Sequence, residues 1–150
     1  MYVAGVGLGI NSLHNNFAKD FSLSTQEVDL VSIDSYVEES AIDRITMVKV
    51  DAEGHDLSVI KGAVASLEKG TIEFLQFEYN WRWIDNKGFL KDVFELCRPL
   101  GYEIGKITPK GIEFYNDWDP LLETFNENNY LICKPVYRGR LKEIKWWKNG

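Results

Sequence analysis

Residues 45–70, ITMVKVDAEGHDLSVIKGAVASLEKG, decide how this chain is read. An apolar run of strand length, ITMVKV (45–50), meets a turn containing Asp51, Glu53, Gly54, His55 and Asp56. From Leu57 the apolar positions Leu57, Ile60, Ala63, Val64 and Leu67 recur at helical spacing, which predicts an amphipathic helix of about four turns. Gly70 stands where a left-handed glycine stop belongs. Gly54 is where a sharp strand-to-helix turn needs a residue that tolerates positive φ. The stretch is therefore a strand, a tight acidic turn and a helix, the unit from which α/β sheets are built.

The same alternation continues on both sides. Upstream, VDLVSI (28–33) predicts a strand and SYVEESAI (35–42) a short helix capped by Asp34. Downstream, TIEFLQFEY (71–79) predicts a strand. Phe89, Leu90, Val93, Phe94 and Cys97 mark a helix closed by Pro99 and Gly101. Residues 102–107 and 112–115 predict a strand pair turning at Pro109–Gly111, and NYLICKP (129–135) a last strand. The expected architecture is an α/β sandwich with a mostly parallel sheet and antiparallel strands at one edge. No linker or repeat divides the 150 residues, so one domain is expected.

Composition narrows the functional classes. With 45% hydrophobic and 13% aromatic residues the chain can bury a core. The net charge of −6 divides into −10 for residues 1–137 and +4 for residues 138–150, and an acidic body argues against a general nucleic-acid partner. Cys97 and Cys133 are isolated, without metal-ligand spacing, which fits a reducing compartment. The start, MYVAGVGLGINSL, lacks a basic n-region, and no run is long enough to span a bilayer. A cytoplasmic protein without a membrane partner is expected, with its basic tail packed on the acidic body or on a partner subunit.

Two clusters carry candidate chemistry. In open α/β sheets ligands bind beyond the carboxyl ends of the strands, where both the 51–55 turn and residues 78–81 fall. Lys49 and Asp51 share a face of their strand, about 6–7 Å apart. Asp51 closes that strand facing the crevice and is the first catalytic candidate, followed by Lys49 and Glu53. Each has a purely structural alternative. Lys49 can pair with Asp34 or Glu78, Glu53 and Asp56 can complement a helix N-terminus, and His55 can be an ordinary turn histidine. The second cluster, FEYNWRW (77–83), presents Glu78, Asn80 and Trp81 as substrate-binding candidates, joined by His55 from the turn, with residues 81–83 as an aromatic wall. Glu78 or Asn80 beside Asp51 could hold a divalent cation through oxygen ligands, although two oxygens are a weak signal.

The order of these motifs resembles the FkbM family of S-adenosylmethionine-dependent methyltransferases. That family carries the pattern hhKhDhEGxExxhhKGA, where h is apolar. Here Lys49, Asp51, Glu53, Gly54, Asp56, Lys61, Gly62 and Ala63 match it, with Asp56 in place of a Glu. The resemblance spans residues 25–135. It implies a Rossmann-like fold, S-adenosylmethionine as methyl donor, and O-methylation of a hydroxyl on a sugar, other glycan or small secondary metabolite. The family's glycine-rich donor loop and ribose-binding acid belong upstream. The segment AGVGLG (4–9) is preceded by only three residues, and Gly5 lies 46 residues before Asp51, too few for the strand–helix steps expected. The chain thus resembles the C-terminal half of such an enzyme, lacking the N-terminal cofactor-binding strands. Residues 1–24 are a leader or remnant, 25–135 the domain and 136–150 a basic tail. A homo-oligomer or a complementing N-terminal half would be its partner. Two rivals stand beside this reading: a metal-dependent glycosyltransferase, with Asp-Ala-Glu imitating a D-x-D motif, and a glycan-binding remnant that has lost its chemistry.

Overall fold

The computed structural model describes residues 1–3 and 24–145; Gly5, Gly7, Gly9, Trp146 and Trp147 lie outside them. The chain falls into two units, Met1–Val31 and Ser32–Gly150. In the first, β1 (Tyr2–Val3) pairs antiparallel with β2 (Ser24–Thr25), and the terminal ammonium of Met1 donates to the Gln26 carbonyl at 2.8 Å. The expected strand at 28–33 does not form. Residues 26–32 are irregular, with Leu30 and Val31 exposed, and Ile33 already opens a helix.

The second unit holds α1 (Ile33–Glu39), β3 (Ile45–Val50), α2 (Asp56–Lys61), α3 (Val64–Lys69), β4 (Ile72–Tyr79), α4 (Leu90–Cys97), β5 (Glu103–Thr108), β6 (Gly111–Tyr115), β7 (Asn128–Cys133), α5 (Pro135–Arg138) and β8 (Glu143–Ile144). Ser32, not Asp34, caps α1 by accepting from the Ser35 N–H at 3.0 Å. Asp34 instead reaches across to the start of α3, accepting from the Ala65 and Ser66 amides and the Ser66 hydroxyl at 2.9, 2.8 and 2.6 Å.

The single helix expected from Leu57 is two. The Gly62 carbonyl accepts from the Asp34 N–H at 2.8 Å, and the Ala63 N–H turns back to Ile60, three residues away, which breaks the α ladder between α2 and α3. Gly70 does end α3 in the left-handed region, at φ 76°.

The sheet runs β3-β4-β7-β5-β6-β8. It is mixed rather than mostly parallel: β3/β4 and β6/β8 are parallel, whereas β4/β7, β5/β7 and β5/β6 are antiparallel. The reason is the insertion of β7 between β4 and β5, antiparallel to both, so antiparallel pairing occupies the middle of the sheet. The β5–β6 hairpin turns at 109–110 as its sequence predicts.

Strand alternation separates two faces. Val50, Leu75, Phe77, Tyr79, Ile104, Tyr115, Tyr130 and Ile132 pack with Leu57, Ile60, Leu67, Trp83, Val93 and Phe94 in the main core. Tyr102 anchors it by donating to the buried carbonyls of Leu67 and Ile72 at 3.0 and 2.9 Å. The opposite face is closed at its far end by Phe114, Leu131, Cys133 and neighbours including Leu141. There Arg138 pairs with Glu103 and Glu143 and stacks over Phe114, so the described part of the basic tail is integrated into the sheet. Toward β3 that face is open among the described residues, and Met47 and Lys49 are exposed. Among the described residues no helix is long and apolar enough to cross a membrane.

Candidate functional site

The carboxyl ends of β3 and β4 bring the two sequence clusters together. Val50 is in register with Phe77, so the next positions, Asp51 and Glu78, stand side by side. Asp51 is half exposed and accepts from the Lys49 ammonium at 2.8 Å. Lys49 therefore needs neither Asp34 nor Glu78 as its partner. Among the described residues it lies on the open face of the sheet's end strand, and its pKa is raised by the hydrogen bond and charge of Asp51.

Glu53 turns away from this pair. Its Oε2 lies 3.2 Å from Arg82 Nε, both side chains being largely buried, and the Arg82 guanidinium sits 5.0 Å over the Trp81 ring. Trp81 itself is half exposed. Asp56, which sequence reading assigns to the helix N-terminus alone, is fully buried and accepts from the Ala52 and Gly54 amides at 3.4 and 3.3 Å. It thereby closes the turn on itself, and burial raises its pKa. His55 occupies the cap position of α2, half-buried, without a side-chain capping bond.

Two consecutive positive-φ residues shape the turn, Glu53 at 50° and Gly54 at 96°. A Cβ on Gly54 would stand 2.7 Å from Arg82 Cβ and 3.0 Å from its carbonyl oxygen. Gly54→Ala is therefore expected to cost about 2 kcal/mol of stability, from backbone strain together with the displaced Arg82 loop. Urea denaturation checks this, and a loss below about 0.5 kcal/mol would show that the turn relaxes without strain.

On the β4 side, Asn80 is fully buried. Its Oδ1 accepts from the Arg82 N–H at 2.9 Å, capping a 3-10 turn over Trp81–Ile84, and its Nδ2 donates to Glu78 Oε2 at 2.8 Å. Asn80 thus holds the Glu78 carboxylate in place instead of lining an open wall. Trp83 leaves the expected wall altogether. It is a core residue, tilted against Phe77 and edge to face with Tyr79, with its indole N–H donating to the Glu78 carbonyl at 3.0 Å. The reason is the 3-10 turn, which folds residues 81–84 back under the strand end.

Glu78 is half-buried, and burial followed by the charge of Asp51 raises its pKa above the ordinary 4.5. Glu127, Asp56 and Glu53 add to the effect. The native state then holds more protons than the unfolded one between the ordinary and the raised value, so stability is fullest below 4.5 and declines as pH rises through that window. Urea melts between pH 4 and pH 7 should show this decline, and Glu78→Gln should flatten it; an unchanged slope in the variant would assign the decline to Asp56.

The strand ends therefore offer two adjacent carboxylates, one partnered by an ammonium group and one by an amide. This set can orient a hydroxyl and accept its proton. Among the described residues no group of three His, Cys, Asp or Glu side chains could hold a metal ion, and no metal step is assigned. Nor does any turn among them carry two glycines behind a strand, so the donor's contacts are not assigned to them either.

No curated protein and no solved structure matches the chain. A family model does, described as the methyltransferase FkbM domain and covering residues 5–132, from the glycine-rich opening through most of β7. Both the acidic turn after β3 and the FEYN end of β4 lie inside that match, and the chain belongs to the FkbM methyltransferase domain family.

Proposed function

We propose that this domain transfers a methyl group from S-adenosylmethionine to a hydroxyl of a sugar or secondary metabolite, with Asp51 as the residue that orients and deprotonates the hydroxyl. The observation that carries the reading is the strand end, where Asp51 and Glu78 follow the paired Val50 and Phe77 and lie close enough for the Asp51 charge to raise the Glu78 pKa. S-adenosylmethionine, when bound, supplies the electrophilic methyl. Everything else is done by this chain's groups. Asp51 takes the hydroxyl proton, Lys49 fixes its carboxylate, and Glu78, held by Asn80, accepts a second hydrogen bond from the acceptor. Glu53 and Arg82 hold the turn, and Trp81 and His55 border the acceptor.

The finer assignments belong to the same reading. The donor-binding strands lie outside the described sheet, since among the described residues no strand pairs with the outer side of β3, the strand that leads into Asp51. Residues 5–24 belong to the same domain and are not an unrelated leader, which the start of the family match at residue 5 supports. Family membership also favours methyl transfer over sugar transfer.

Labelled methyl transfer tests the proposal. With donor-binding strands supplied on the same or a second chain, label from S-adenosylmethionine should appear on a hydroxyl acceptor. Consumption of a nucleotide-sugar instead would overturn the reading. The 150-residue chain alone should bind S-adenosylmethionine weakly or not at all, and micromolar affinity by calorimetry would place the donor loop within it.

A further inference from the structure

A second concavity lies at the start of α4, outside the strand-end carboxylates. It is a solvent-open groove of about 430 Å³ lined by Phe89, Lys91, Trp118, Pro120, Glu123 and Phe125. That volume falls within the range of about 300–1,000 Å³ usual for small-molecule sites. Phe89 and Phe125 meet edge to face, with centroids 6.1 Å apart, and Phe125 is held there by a left-handed backbone at φ 52° and a ring contact to Tyr79 at 5.4 Å. Phe89 remains about half exposed although it is a large apolar side chain.

The polar groups of this pocket are already committed. Glu123 Oε2 accepts from the Tyr79 hydroxyl at 2.5 Å and the Leu90 N–H at 3.1 Å. Its Oε1 accepts from the Lys91 N–H at 2.8 Å and the Trp118 indole N–H at 2.9 Å. The Lys91 ammonium stands 5.2 Å over the Trp118 ring and pairs with Glu95. A cationic ligand would meet Lys91 on the ring face that attracts cations, and an anionic one would meet Glu123. What the pocket offers is ring surface between charges that cancel.

We infer that this pocket binds a neutral, planar aromatic ring, and that the ring is part of the methyl acceptor. Offset stacking on Trp118, Phe89 and Phe125 supplies the recognition. Tyr79, bonded to Glu123, follows Glu78 in β4 and points to the opposite face, so pocket and carboxylate meet only around the end of the strand. The second clause rests on the methyl-transfer reading above, whereas ring binding itself does not.

The experiment is titration of the 150-residue chain with 2-naphthol, followed by naphthol fluorescence and by calorimetry. Saturable binding is expected, weakened about tenfold by Phe89→Ser and by Trp118→Leu. Phe89 occupies the cap position of α4, where serine is a favoured residue, so Phe89→Ser should remain folded even if Trp118→Leu does not. Absence of saturable binding, indifference to Phe89→Ser, or tighter binding of tetramethylammonium than of naphthol would overturn the inference. Naphthol binding by a domain that methylates no aryl-bearing hydroxyl compound would leave the pocket standing and remove its link to the acceptor.

Discussion

Asp51→Asn should lower methyl-transfer turnover by about 10²- to 10⁴-fold while leaving donor affinity nearly unchanged. Asparagine keeps the shape and the hydrogen bond that Lys49 donates, but it cannot take a proton. The size of the effect separates catalysis from folding. Lys49 and Asp51 are both half exposed or more, and an ion pair so exposed contributes little to stability. A folded variant with a large turnover defect therefore points to chemistry. Lys49→Met should show a smaller defect, because it loosens the carboxylate without removing the base. Steady-state kinetics beside a thermal melt make the measurement. If Glu78→Gln copies the defect and a chelator abolishes activity, the two carboxylates hold a cation; if a chelator changes nothing, Asp51 acts as the base. Near-normal turnover in folded Asp51→Asn would return the acidic turn to a structural role.

The second large effect concerns stability. Glu123→Ala should cost about 3 kcal/mol, since it strands a partly buried tyrosine hydroxyl, an indole N–H and two amides at the first turn of α4 together. Burial and the adjoining Glu123 push the Tyr79 phenol upward, so it remains a donor throughout the physiological range. The four bonds share one acceptor group, and their loss is not a simple sum. Urea denaturation should report the change in midpoint, with a fall in melting temperature of about 10 °C. Glu123→Gln should recover part of it through the retained carbonyl oxygen. A loss under about 1 kcal/mol in Glu123→Ala would mean that water replaces the carboxylate.

Glu123 is also the clearest case of what sequence reading could not reach. It sits in a stretch without periodicity or motif, and its partners lie 5 to 44 residues away. Nothing local distinguishes it from the other surface acids. Asp34 is similar: its side chain suggests a cap for its own helix, but it serves α3, 31 and 32 residues downstream.

What the sequence determined by itself is what short-range chemistry controls. Helical spacing from Leu57, the left-handed glycines at 54 and 70, the hairpin turning at 109–110 and the acidic turn after β3 all depend on backbone freedom and side-chain period within a few residues. The family was legible for the same reason, because its signature is one contiguous strand, turn and helix. The tertiary structure alone decided that β7 enters between β4 and β5, which made the sheet mixed. It also decided that Lys49 pairs with Asp51, with both side chains near water. It was likewise the folding of the 3-10 turn beneath β4 that buried Trp83 and made Asn80 a support for Glu78. Strand order and burial arise from contacts between residues far apart in the chain, and a residue's neighbours in sequence do not specify which of those contacts form.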